Sequence, residues 1–103
     1  MYPFLSTHEC AQMLKAMSDG TRLMMIKSLF EGEKCGTEIA NELKLPQPQV
    51  AHHLGILKNA SLLMSRREGQ RVYYKLHPVV RESILKRKEQ AINLGCCKIS
   101  FPG

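Results

Sequence analysis

Leu45-Pro46-Gln47-Pro48 constrains this chain more than any other segment, because a short run with helical spacing lies on each side of it. From about Thr37 to Lys44, the apolar residues Ile39, Ala40 and Leu43 fall on one face. From Pro48 to about Asn59, Val50, Leu54 and Leu57 do the same. Proline disfavours the helical region in the residue before it, so the intervening four residues read as a turn. Pro48 itself is tolerated in the first turn of the following helix. Two short helices joined this tightly form a helix-turn-helix.

The flanking sequence extends the pattern. Ser6-Thr7-His8-Glu9 has capping-box spacing, with Leu5 and Cys10 placed for a hydrophobic staple. A first helix is predicted to run to about Met17, with Cys10, Met13, Leu14 and Met17 on one face. Asp19 is a good N-cap for a second helix through Leu23, Ile26, Lys27 and Phe30, which Gly32 stops. After Asn59 the period changes. Leu62 to Ser65 and Val72 to Leu76 read as strands, and Gly69 is the turn former in the basic link Arg66-Arg67-Glu68-Gly69-Gln70-Arg71. A last helix is predicted from about Pro78 to Leu94, with Val80, Ile84, Ala91 and Ile92 on one side. The expected fold is mainly α with a small β-hairpin wing: four helices, the hairpin, then a fifth helix. Residues 1–95 form one domain in this reading, and 96–103 a short tail carrying the adjacent cysteines Cys96 and Cys97.

The 103 residues suffice for one domain and are too few for two, and 44% hydrophobic with 23% charged residues is an ordinary globular balance. A core of this size gives modest stability, so a second copy can be part of the folded unit. The formal charge of +6 favours a polyanionic partner. No apolar run reaches the ~18–20 residues that span a bilayer, and Met1-Tyr2-Pro3-Phe4 lacks the basic start of a signal peptide. A cytoplasmic protein without a membrane partner is expected, with its four cysteines, Cys10, Cys35, Cys96 and Cys97, as free thiols. No C-x-x-C pair is present. No nucleophile–base pairing and no Gly-rich phosphate loop is written in the chain, so an enzyme is not expected.

The helix after the turn carries the candidate reading residues. His53 shares the face of Val50, Leu54 and Leu57, whereas His52 falls nearly opposite, beside Gln49. Gln47, Gln49 and His52 suit a helix lying in a major groove, where glutamine can pair with adenine through two hydrogen bonds. The alternative is a solvated face. His53 is expected to be packed and hydrogen-bonded. Arg66, Arg67, Arg71 and Lys75 project from the hairpin against one acid, Glu68, and guanidinium groups suit phosphate or a narrow minor groove. Tyr73 and Tyr74 must face opposite ways, so that one packs and the other can reach a phosphate.

Three runs, in order and spacing over residues 11–77, resemble the arsenic-repressor (ArsR/SmtB) family of winged helix-turn-helix repressors. Met17-Ser18-Asp19-Gly20-Thr21-Arg22-Leu23 is similar to its D-P-T-R-L helix start. Leu45-Pro46-Gln47-Pro48-Gln49-Val50-Ala51-His52-His53-Leu54 resembles its S-Q-S-T-V-S-H-H-L recognition helix. Ser65-Arg66-Arg67-Glu68-Gly69-Gln70-Arg71-Val72-Tyr73-Tyr74 is similar to its R-x-G-R-x-x-Y-Y wing. The resemblance implies a homodimer through the first and fifth helices, double-stranded operator DNA with two-fold symmetry, and release when an effector binds.

The departures fall in the effector sites. Gly20 replaces a usual proline and Ala51 a frequent serine. Glu33-Lys34-Cys35-Gly36-Thr37 stands at the metalloid motif E-L-C-V-C, with Thr37 in place of the second cysteine. Between Pro78 and Leu94 there is neither the Asp nor the His of zinc-sensing members. Thiol chemistry remains. Cys96 and Cys97 can offer two soft thiolates to trivalent arsenic or antimony, or to another thiophilic metal ion. Cys10 is a candidate third ligand, because the first and fifth helices meet in this family, and Cys35 is another. The alternatives are a redox or reactive-sulfur sensor in which Cys10 or Cys35 pairs with Cys96 or Cys97, and small buried cysteines with no ligand role.

Overall fold

The computed structural model describes residues 6–84 and 89–101, side chains at 82–84 and 89 excepted. In chain order the elements are α1 (Thr7–Met17), α2 (Gly20–Leu29), β1 (Lys34–Cys35), α3 (Gly36–Leu43), α4 (Gln47–Asn59), β2 (Leu63–Glu68), β3 (Arg71–Leu76), β4 (Arg81–Ile84), β5 (Glu89–Asn93) and β6 (Lys98–Phe101).

The local signals act as the sequence predicts through residue 76. Ser6 and Glu9 close a reciprocal capping box on α1, each backbone N–H donating to the other's side chain. Leu5, the other half of the predicted staple, lies outside the described residues. Asp19 accepts from the Arg22 backbone N–H at 3.0 Å and starts α2. Lys44 takes the left-handed conformation (φ 57°) and ends α3. Pro46 is then the N-cap of α4, one residue earlier than the turn reading placed it. Gly69, at φ 62°, turns the hairpin so that Glu68 faces Arg71 across the ladder.

One apolar core holds the helices and both sheets: Met13 and Met17 of α1, Met25, Ile26 and Leu29 of α2, Ile39 of α3, Val50, Leu54 and Leu57 of α4, and Leu63 and Leu76 of the hairpin. Ala16, not Leu14, completes the buried face of α1, and Leu14 stays exposed. The first sheet has order β1-β3-β2. β1, too short to announce itself in the sequence, pairs antiparallel with β3, setting Lys34 opposite Tyr74 and Cys35 opposite Tyr73. Tyr74 packs against the core, and Tyr73 takes the other face.

The C-terminal quarter differs from the expectation. Among the described residues of 78–94 there is no last helix; β4, β5 and β6 form a separate antiparallel meander, with Arg81 opposite Ile92 and Ile92 opposite Ile99. The apolar positions 80, 84, 91 and 92 fit a helix stripe loosely, whereas Val79, Val80, Ile84, Ile92 and Ile99 are β-branched and suit strands. Gly95 (φ 88°) reverses the chain after Asn93, so residues 98–101 can pair with β5. The segment from Cys96 is therefore not a tail outside the domain. It supplies the outer strand and buries Phe101 against Phe30, with ring centroids 5.6 Å apart. Arg81 fixes the meander to the end of α2 by donating to the Phe30 carbonyl at 3.1 Å. Among the described residues no fifth helix offers the expected dimer interface; of the two expected surfaces, α1 is present.

Candidate nucleic-acid interface and cysteine cluster

α4 is amphipathic in the sense its sequence predicts. Val50, Leu54 and Leu57 are buried, which turns Gln47, Gln49 and His52 to solvent. The Gln47 amide donates to the Thr37 hydroxyl at 3.5 Å, a contact from α4 to the first turn of α3. His53 is half-buried, and its Nδ1 lies 3.1 Å from Arg22 Nη1. A guanidinium can only donate, so Nδ1 is the acceptor and the ring proton sits on Nε2. The same arginine donates through Nε to the Ala16 carbonyl. Arg22 thereby joins the end of α1, the start of α2 and the middle of α4.

The wing stands beside this helix. A cleft of about 150 Å³ separates them, lined among others by Thr37, Gln47, Gln70 and Arg71. Arg67 and Arg71 are exposed. The neighbouring Tyr73 side chain, with Cys35 and Glu38 assisting, raises the Arg71 pKa. Arg66 is placed differently. Its Nε and Nη2 grip Glu33 at 2.8–3.1 Å, its Nη1 donates to Glu68, and its guanidinium lies 4.7 Å from the Tyr73 ring centroid. Arg66 in turn holds the Glu33 carboxyl below the usual carboxylate range. No reading of the sequence could place Glu33, because it meets Arg66 only through the β1–β3–β2 sheet. Lys34, next to it, donates to Ser28, Glu31 and Glu42 and clamps β1 between α2 and α3.

Away from this pair of elements in sequence, Cys10, Cys96 and Cys97 come together. Cys10 and Cys96 are not the free thiols the sequence predicts but are joined as a disulfide that ties α1 to the turn before β6. Cys97 keeps its thiol, with its Sγ 3.8 Å from that of Cys96. All three sulfurs lie within 4.8 Å of one another. Cys35 does not join them. It is buried at the N-cap of α3, where its backbone N–H donates to Glu38 at 3.0 Å.

The sequence signature of the bacterial regulatory protein, arsR family, matches residues 19–65, from the cap of α2 into the wing. An uncharacterised HTH-type transcriptional regulator of Methanocaldococcus jannaschii is 45% identical over 78 residues, covering 74% of this chain and 88% of that one. The chain belongs to the ArsR family. An arsenic resistance transcriptional regulator of Pseudomonas putida is 46% identical over 67 residues, which span 64% of this chain and 52% of that regulator, about half its length. The homodimeric winged helix-turn-helix DNA-binding domain of a possible ArsR-family regulator from Mycobacterium bovis superposes with a TM-score of 0.67 at 30% identity, covering 70% of this chain and 67% of that one. This ArsR-family chain is a transcriptional regulator and not an enzyme, and its fold is the winged helix-turn-helix. No helix among the described residues is long and apolar enough to cross a membrane.

Proposed function

We propose that this chain is a cytoplasmic repressor that binds two-fold symmetric operator DNA as a homodimer and leaves it when a trivalent arsenic- or antimony-like ion binds Cys10, Cys96 and Cys97. The gathering of those three sulfurs within 4.8 Å carries the effector half of this reading. Three soft thiolates suit a thiophilic ion, and the ion requires the Cys10–Cys96 pair to be reduced first. In the DNA-bound state Gln47, Gln49 and His52 of α4 face base edges while Arg67, Arg71 and Tyr73 hold the backbone from the wing. Two copies set their α4 helices one helical turn of DNA apart, roughly 34 Å.

Release follows from linkage. The effector must bind free protein more tightly than DNA-bound protein, and such coupling is typically about 1–3 kcal/mol. A gel shift on the DNA upstream of the chain's own gene, with and without arsenite, tests this in the wild type and in the Cys96→Ser/Cys97→Ser double variant under reducing conditions. Arsenite is expected to release the wild type and leave the double variant bound. Equal release of both removes the cysteines from the effector site.

A second reading rests on the Cys10–Cys96 disulfide. Here the signal is oxidation: two thiols lose two protons and two electrons to a peroxide, which is reduced to water and an alcohol, and α1 is tied to the C-terminal meander. The two signals exclude each other, because they use the same sulfurs. Intact-mass measurement separates them. Retention of one arsenic per chain supports the first, and loss of two hydrogens after peroxide together with loss of DNA binding supports the second.

A further inference from the structure

We propose that Arg66 is a positioning residue of the wing, not a phosphate contact, and that Glu33, by holding it, sets how strongly the wing grips DNA. The inference rests on the DNA-binding reading and refines it. Arg66 has its Nε, Nη1 and Nη2 all committed to carboxylates, three contacts to Glu33 and one to Glu68. Two carboxylates on one guanidinium leave Arg66 no uncommitted positive charge to offer a phosphate. An exposed ion pair contributes little to stability, so its weight here is in where charge is placed. What Arg66 does touch is the ring of Tyr73, 4.7 Å from its centroid. Tyr73 stands two residues along β3 from Arg71, so the two side chains share one face of the sheet, and its backbone position is paired with Cys35, two residues after Glu33. Glu33, Arg66, Tyr73 and Arg71 thus form a brace that aims Arg71 across the cleft toward α4. Of the wing's cations, Arg71 and Arg67 do the gripping.

Counterion release makes this measurable, because each phosphate contact adds about one unit to the log–log salt slope of binding. Anisotropy titrations on an operator duplex between roughly 50 and 200 mM salt compare the wild type with Arg66→Met, Arg71→Ala and Glu33→Gln/Glu68→Gln. Arg66→Met is expected to weaken binding severalfold with the slope unchanged. Arg71→Ala flattens the slope by about one. The double glutamine variant frees Arg66 to take a phosphate, steepening the slope by about one. A slope that flattens by about one in Arg66→Met, with no change in the glutamine variant, overturns the proposal. A readout without DNA keeps it separate from the repressor reading. The Arg66 Nε–H is expected to exchange slowly in the free protein and fast in the glutamine variant, as seen by NMR. Fast exchange in the free wild type overturns the brace even if operator binding is intact, whereas slow exchange in a protein that binds no DNA supports the brace and sinks the repressor.

Discussion

Removing the Arg22 side chain is expected to loosen the reading helix from the rest of the molecule. Arg22→Met keeps most of the apolar stem and deletes two part-buried bonds, one to the Ala16 carbonyl and one to His53 Nδ1. A hydrogen bond to a charged donor contributes ~1.5–3 kcal/mol, and water can replace part of it at a half-buried site. A loss of about 2 kcal/mol for the pair follows, which for a domain of this size lowers Tm by roughly 8–16 °C. Lysine offers one compact ammonium in place of a fork and can serve one partner at a time, so Arg22→Lys should recover about half of the loss. Urea unfolding followed by circular dichroism measures both. A double-mutant cycle with His53→Ala isolates the α2–α4 contact and should give a coupling of about 1 kcal/mol. Zero coupling, or Arg22→Met within ~0.5 kcal/mol of wild type, the ordinary range for a surface change, refutes the claim that Arg22 ties these helices.

Gln49→Ala should cost about 1–3 kcal/mol of discrimination at one base pair per half-site while leaving the salt slope alone, because a base contact carries no counterion release; competition among operator variants reads this. Leu57, wholly buried in α4, should lose about 2–5 kcal/mol of unfolding free energy on change to alanine, measured by denaturant titration. Glu9, Asp19 and Glu38 have lowered carboxyl pKa values, in each case first through a hydrogen bond from the backbone N–H of Ser6, Arg22 and Cys35 respectively. Their folded values lie below the unfolded ones, so this stability is fully present above the ordinary carboxylate range and is lost as pH falls through it. Thermal melts should decline below about pH 5, and Asp19→Asn, which cannot titrate, should decline less steeply.

The sequence was legible where punctuation and period agreed. Ser6 and Asp19 through their capping side chains, and Gly32, the two prolines at 46 and 48 and Gly69 through their backbones, each mark a boundary, and the apolar spacing between them places the helices, with Leu14 the one position it misassigned. The outward set Gln47, Gln49 and His52 followed from that same spacing. The region after Pro78 had no such agreement. Four apolar residues can mark a helix stripe or alternate strands, and the deciding partner, Lys98–Phe101, looked like a tail until Phe101 met Phe30. Contacts made across the sheet were illegible for a related reason. Glu33 and Arg66 are 33 residues apart, and nothing in either neighbourhood names the other. Cys10 and Cys96 are separated by 86 residues, and only the resemblance, by bringing the first and last elements together, suggested that their sulfurs meet.

The sulfur-bearing end is assembled from the chain's two extremities, while everything between Gly20 and Leu76 closes around α4 and the hairpin. If the proposed function holds, such a polypeptide can exchange its effector by altering the residues around Cys10 and Cys96–Cys97, with the α4 surface left in register. Met13 and Met17 of α1 lie in the same buried core as Leu54 and Leu57 of α4, so the element carrying Cys10 and the helix facing solvent through Gln49 share one packed interior.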